Sequence, residues 1–354
     1  MSPSTGSPTE AHVLEALKSV QDPDMGRNLV DLKAVQDIQI VGGNVTFNLV
    51  LPTPAAPAKK QLQQAAEAAV GALPGVERVI ANLTSRIQGA KPLLGGKGMI
   101  PGVANIVAVS SGKGGVGKST VSVNLACALQ RDGARVGLLD ADVYGPNVPI
   151  MLGLEGKPQA QEKKLEPLDF HGMKVMSIGF MIDPDKPVIW RGPMMNSAIK
   201  EFLHTTNWGQ LDYLIVDLPP GTGDAQLSLA QQCHLMGAVV VTTPQDVSVA
   251  DVRRAIRMFE TVEVPVLGVV ENMAWFTPPG QSERYEIFGK GGGEQITREF
   301  NIPMLGQLPI DLAVREGGDA GKPVALSHPD SAVGQAFGEL SRHVAARIAE
   351  TNQV

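Results

Sequence analysis

The sequence predicts an α/β protein: a small α/β domain, then a larger one built on a mostly parallel sheet covered by helices on both faces. Three observations predict it. From about residue 104 the chain carries short apolar runs at 106–109, 136–139, 213–216, 238–241 and 264–270, each followed by a helical pattern. Strands buried on both faces read as such runs, and helical crossovers make neighbouring strands parallel. Before residue 87 the pattern is instead an alternation of apolar and polar residues around a glycine pair. Between the two, residues 87–103 gather Gly89, Gly95, Gly96, Gly98 and Gly102 with Pro92 and Pro101, the composition of a linker or of an ordered connection packed on the larger domain. The expected organisation is a small domain over 1–86, a linker over 87–103 and the larger domain over 104–354.

The elements follow in chain order. Ser7-Pro8-Thr9-Glu10 reads as a helix start, with Ser7 as cap, Pro8 in the first turn and Glu10 completing a capping box. Val13, Leu14, Leu17 and Val20 then share one helical face. Ile38 and Ile40 alternate with polar residues up to Gly42-Gly43, and Val45, Phe47, Leu49 and Leu51 alternate after it, which predicts a two-residue β-hairpin. An alanine-rich helix over about 56–73 and a strand near 76–83 complete an α-β-β-α-β order. At the other end, Val333, Phe337, Leu340, Val344 and Ile348 form one face of a helix. Its polar face mixes Glu339, Arg342, Arg347 and Glu350, so the apolar stripe reads as core packing rather than as a cationic membrane-surface helix.

Residues 112–120 read Gly-Lys-Gly-Gly-Val-Gly-Lys-Ser-Thr directly after the first apolar run. Strand, glycine loop and helix start are the context of the phosphate-binding loop of a P-loop NTPase. Gly112, Gly114, Gly115 and Gly117 let backbone N–H groups turn toward phosphate oxygens where a Cβ would intrude. Val116 and Thr120 complete the loop. Lys118 supplies charge to the β- and γ-phosphates, Ser119 offers a hydroxyl to Mg²⁺, and the following helix points its positive end at the anion. Two further strands end in acids. Asp217 is assigned to Mg²⁺, directly or through water. Of Asp140 and Asp142, one belongs near the ion and the other orients the attacking water, with Asp142 favoured for the water. Gly221-Thr222-Gly223-Asp224 resembles a switch segment that senses the γ-phosphate.

Composition narrows the classes. The chain has 354 residues, 43% of them apolar, and a formal net charge of −6, which argues against a general nucleic-acid binder. No run approaches the roughly 18 apolar residues of a membrane span, and Met1-Ser-Pro-Ser-Thr-Gly lacks the basic start of a signal peptide. The expectation is a cytoplasmic protein without membrane contact. The two cysteines, Cys127 and Cys233, form no Cys-x-x-Cys pair and sit in apolar helical surroundings, where free thiols behave as small hydrophobes.

Taken together, the phosphate loop, Asp140-Ala-Asp-Val-Tyr-Gly-Pro-Asn147, Trp190-Arg-Gly-Pro193, Asp217-Leu-Pro-Pro-Gly-Thr-Gly-Asp224, Thr243-Pro-Gln-Asp-Val247, Glu271-Asn-Met273, Ile287-Phe-Gly-Lys-Gly-Gly-Gly293 and Arg315-Glu-Gly-Gly-Asp319 resemble the Mrp/ApbC group of deviant Walker A ATPases, the iron–sulfur cluster carriers, related to the MinD and ParA class. Asp22-Pro-Asp24 and Leu51-Pro-Thr-Pro54 resemble the cluster-assembly domain that often precedes this ATPase. The resemblance implies ATP and Mg²⁺ as ligands and a homodimer that sandwiches ATP, with Lys113 reaching the partner's nucleotide and acting in catalysis beside Lys118. It implies Asn272 at the adenine edge with Pro309 and Asp311 on the other side of the base. It also implies a [4Fe-4S] cluster, apoprotein clients and Fe–S assembly partners. The sequence departs from the family at the cluster ligands. Where a Cys-x-x-Cys is usual, Trp275-Phe-Thr-Pro-Pro-Gly-Gln-Ser282 places Pro278 and Gln281, and Pro54-Ala-Ala-Pro57 lacks the first domain's cysteine; neither segment supplies the thiolates a cluster needs. The leading reading is an ATPase serving Fe–S cluster assembly. The alternatives are a nucleotide-switched positioning or partition-type scaffold without cluster carriage and, third, a metabolic kinase of the same fold.

Overall fold

The computed structural model describes residues 8–53, 56–89, 98–162, 164–181 and 192–353. Two compact units divide at Gln88 and Gly89. Residues 90–97 of the expected linker, Ser7 and the Trp190-Arg191 pair lie outside the described residues.

The small unit runs α1 (Glu10–Leu17), β1 (Gln21–Asp22), β2 (Arg27–Asn28), β3 (Val35–Val41), β4 (Asn44–Leu51), α2 (Ala56–Gly71) and β5 (Arg78–Ser85). The start of α1 differs from expectation. Thr9 is the cap: its hydroxyl accepts from the His12 N–H, and His12 Nδ1 accepts from the Thr9 N–H. That reciprocal pair satisfies two helix-end donors, so the helix begins after Thr9 and Pro8 precedes it. The hairpin turns through Gly42-Gly43, setting Val41 opposite Asn44. Val45, Phe47, Leu49 and Leu51 point into the core, and β5 joins β4 in parallel to close a three-stranded sheet. The short antiparallel pair β1–β2 carries no sequence periodicity and was not expected.

The large unit runs β6 (Val103–Ser111), α3 (Lys118–Arg131), β7 (Val136–Asp140), α4 (Val148–Leu152), β8 (Gln159–Gln161), β9 (Lys164–Glu166), β10 (Leu168–Phe170), β11 (Met173–Ser177), α5 (Gly192–Thr205), β12 (Leu211–Asp217), α6 (Asp224–Gln232) and β13 (Gly237–Thr242). It continues with α7 (Asp246–Thr261), β14 (Val266–Glu271), α8 (Gly292–Phe300), β15 (Met304–Gln307), α9 (Leu312–Asp319), α10 (Val324–Ser327) and α11 (Ala332–Gln353). Eight strands form one sheet in the order β10-β11-β7-β12-β6-β13-β14-β15. All neighbours pair in parallel except β10, which is antiparallel to β11. The apolar runs fall in β6, β7, β12, β13 and β14, although β14 starts only after Pro265. The excursion β8–β10 was not foreseen, because three-residue strands leave no periodic signal.

This topology positions the site. From β6 the chain turns one way to β7 and β12 and then the other way to β13 and β14, so a crevice opens at the C-terminal end of β6, where open α/β sheets bind ligands. The five apolar residues of α11 are buried, as core packing requires. No helix among the described residues is long and apolar enough to cross a membrane.

Candidate functional site

The loop between β6 and α3 borders a cleft of about 730 Å³, a volume suited to a nucleotide-sized ligand. Lys113, Gly114, Gly115, Gly117, Lys118, Ser119 and Thr120 line it, with Asp142, Pro220, Asn272, Pro309 and Asp311 around them. Gly112, Val116, Asp140 and Asp217 stand behind this lining.

At its floor lies a tight polar cluster. Asp217 ends β12, pairs in register with Val109 of β6 and Asp140 of β7, and is fully buried. Lys118, in the first turn of α3 and 6% exposed, sets its Nζ 2.7 Å from Asp217 Oδ1 and 3.6 Å from Asp142 Oδ2. The Ser119 hydroxyl donates to Asp217 Oδ2 at 2.6 Å and accepts from Lys118 Nζ at 3.2 Å. Ser122, one turn along α3, brings its hydroxyl 2.7 Å from Asp217 Oδ1. Ser122 was missed in the sequence, although its i+4 spacing from Lys118 puts it on the same helical face.

The two strand-end aspartates of β7 separate. Asp140 is wholly buried and both its oxygens are engaged: Oδ1 accepts from the Asp142 N–H, and Oδ2 from the Val148 N–H and the Ser177 hydroxyl. Burial pushes its carboxyl well above the ordinary range; the Asp217 charge adds to this, while Ser177 and then Lys118 oppose it. Asp142 faces the cleft. Burial raises its carboxyl too, and the Lys118 cation opposes that.

The glycines have distinct causes. A Cβ on Gly112 would lie 2.3 Å from the Asp251 carbonyl carbon in α7, and one on Gly117 would lie 2.2 Å from Asn272 Nδ2. Gly117 also holds φ +79° at the helix cap. Asn272, just after β14, donates this amide to the Val116 carbonyl at 2.8 Å, so it braces the loop from across the cleft. Asp311 caps α9 by accepting from the Ala313 N–H. Lys113 reaches Gln245 Oε1 of its own chain at 3.5 Å.

The segment that departs from the family pattern forms a small antiparallel excursion in which Phe276 and Tyr285 exchange backbone hydrogen bonds. Its tip is a tight turn: the Gln281 N–H donates to the Pro278 carbonyl, with Pro279 and a positive-φ Gly280 between them, the residue choice of a type II turn. Cys127 and Cys233 are both buried, and the Cys233 thiol donates to the Leu229 carbonyl at 3.5 Å. Burial pushes the Cys127 thiol up to about 12. Among the described residues no three His, Cys, Asp or Glu side chains gather as a metal site.

The family of NUBPL-type iron-transfer P-loop NTPases, within the ParA group, matches residues 102–345. The chain belongs to that family. Residues 10–81 match a second family, the iron–sulfur cluster assembly proteins. The "iron-sulfur cluster carrier protein" of Synechocystis sp. is 51% identical over 95% of this chain and 97% of its own. A nucleotide-binding protein from Archaeoglobus fulgidus, solved in complex with ADP, shares 42% identity with a TM-score of 0.57, covering 63% of this chain and 88% of that one. The Pyrococcus furiosus cell-division ATPase MinD, at 23% identity and TM-score 0.51 over 68% of this chain and 98% of its own, shows the fold alone. Both matched families are concerned with iron, so the positioning-scaffold alternative is not favoured. The family's nucleotide-binding fold is present with its phosphate loop intact.

Proposed function

We propose that this chain is a Mg²⁺-dependent ATPase that works as a homodimer in iron–sulfur cluster assembly, a cytoplasmic protein whose clients are apoproteins. The observation that carries the reading is the Lys118–Asp217–Ser119 cluster under a phosphate loop. Ser119 and Asp217 offer a hydroxyl and a carboxylate 2.6 Å apart, an oxygen donor pair that suits Mg²⁺. They would hold the ion, which would neutralise charge on the phosphates.

The chain's own groups divide the remaining work. Lys118 carries the positive charge for the β- and γ-phosphates. Asp142 orients the water, because its carboxylate borders the cleft. Asp140 holds the turn from β7 to α4 through the three hydrogen bonds already described, and so fixes Asp142. Asn272 and Pro309 flank the base, and Asp311 fixes the start of α9 beside it. Lys113 leaves Gln245 to reach the partner's nucleotide. The name of the Synechocystis relative, an iron–sulfur cluster carrier protein, supports reading the cluster as a cargo. The thiols present here do not fit a thiolate-held cluster, since both are buried and the Pro278–Gln281 turn has none.

The test is ATP turnover with Mg²⁺ by wild type, Lys118→Ala and Lys113→Ala. Wild-type turnover abolished by both substitutions, with ADP still bound by Lys113→Ala, supports the reading. Normal hydrolysis by Lys113→Ala overturns the cross-subunit role, and absence of wild-type turnover overturns the ATPase.

A further inference from the structure

We infer that Gln226 is a positioning residue that sets the segment between the Asp217 carboxylate and α6 according to the nucleotide bound; this rests on the nucleotide-site reading above. Asp217-Leu-Pro-Pro-Gly-Thr-Gly runs from the end of β12 along the cleft wall to α6. Pro219 and Pro220 have no N–H, so this stretch presents carbonyls with few donors of its own. Gln226, in the first turn of α6 and 1% exposed, folds back over it. Its amide Nε2 donates to the Pro219 carbonyl at 2.7 Å and to the Gly221 carbonyl at 2.9 Å. Both amide hydrogens are thereby used. The Gly221 N–H donates to the Ser111 carbonyl at 2.8 Å, at the end of β6, where the phosphate loop begins.

The segment is therefore tied at two points, to the phosphate-loop strand through Gly221 and to α6 through Gln226. Between them Pro220 lines the cleft, its Cγ 3.9 Å from where a Cβ on Gly114 would sit. Movement of Pro220 against the loop must strain or break the Gln226 bonds. The other end of the same amide is unbalanced: Oε1 is buried without a hydrogen-bond partner among the described residues. A buried bare acceptor is unfavourable, so this side chain gains a bond if the N–H groups at Thr222 or Gly223 shift toward it. One arm of the amide holds the segment, and the other favours its displacement. Such a side chain couples the phosphate end of the cleft to α6 without touching the nucleotide.

The test separates this role from plain structural support. Wild type, Gln226→Met and Gln226→Glu are titrated with fluorescent ADP and with a non-hydrolysable ATP analogue from pH 5.5 to 8.5, and their turnover is measured over the same range. Gln226→Met keeps the side chain's length and removes its donors. It should bind ADP within about twofold of wild type, lose its discrimination between the two nucleotides, and lower kcat by about tenfold to a hundredfold, the scale of a small misplacement near the chemistry. Gln226→Glu is acceptor-only when ionised and regains a donor when protonated, so its discrimination should recover toward acid pH while wild type shows no such recovery. Unchanged discrimination in Gln226→Met overturns the proposal, as does an equal loss of affinity for both nucleotides with no pH recovery in Gln226→Glu. Discrimination needs no turnover, so it remains decisive even if wild type fails to hydrolyse ATP, a failure that would count against the ATPase reading alone.

Discussion

Removing the phosphate-loop lysine should unsettle the fold as well as the chemistry, and the size of the effect can be worked from the polar cluster. Lys118→Ala leaves Asp217 fully buried without the cation 2.7 Å away, and takes from Asp142 a cation at 3.6 Å. Breaking a buried ion pair from one side costs about 3–5 kcal/mol. Asp217 keeps the hydroxyls of Ser119 and Ser122, so the lower end, about 3 kcal/mol, is expected. At about 2–4 °C per kcal/mol for a unit of this size, the melting midpoint should fall by about 6–12 °C. Asp217→Asn added to Lys118→Ala removes the stranded charge, so the double variant should be more stable than Lys118→Ala alone. The deficit should also depend on pH. Lys118 opposes the upward shifts of Asp140 and Asp142, and without it both carboxyls move further up in the folded state. A carboxyl raised on folding binds more protons in the native state, so stability falls as pH rises through that range. The deficit is thus smallest in acid and grows toward neutral pH. Thermal melts of both single variants and the double variant, without nucleotide, complete the cycle. Additivity within about 0.5 kcal/mol would refute the claim that the pair is energetically coupled.

Two further outcomes separate structure from function. Gly117→Ala should destabilise by about 2–5 kcal/mol, from the left-handed backbone and the displaced Asn272–Val116 hydrogen bond. Gly114→Ala meets only Pro220, at 3.9 Å, and should melt within about 0.5 kcal/mol of wild type while losing ATP affinity; equal melting points for the two variants would contradict this division. For the thiols, a colorimetric thiol reagent should leave Cys127 and Cys233 unmodified in the native protein and modify both after denaturation. Anaerobic incubation with iron and sulfide should then leave no stoichiometric cluster. A cluster absorbance in wild type that is absent from Cys127→Ala/Cys233→Ala would reverse the conclusion about cargo ligands.

Much of the fold was legible because strands buried on both faces need an unbroken apolar stretch through their middle, and β6, β7, β12, β13 and β14 each carry one. The legible part ends where local signals are weaker than tertiary ones. Strands β8 to β10 span three residues each, too few for any period, and β10 and β11 extend the sheet at its edge only because β11 finds β7. At α1, several residues near the start can cap a helix. Thr9 takes the cap with the His12 ring returning the hydrogen bond, and a histidine in that role has no established sequence signature.

At the site, the string 112–120 and the strand-end carboxylates stand out in the sequence, and the structure brings Lys118, Ser119, Asp142 and Asp217 together. The difference between Asp140 and Asp142 was not readable there, since the two stand one residue apart. What distinguishes them is a serine at 177 and a backbone N–H at 148 that converge on Asp140. The glycines make the same point in reverse. The sequence assigned one cause to all four, the close approach of phosphate. Gly112 must also leave room for the backbone of α7, and Gly117 for the Asn272 amide. Two of the four therefore answer to distant parts of the chain as well, and Asn272, expected at the adenine edge, also donates one amide N–H to the loop. A loop braced by α7 on one side and by the end of β14 on the other holds its N–H groups in place before any anion arrives, so binding energy is not spent on ordering it.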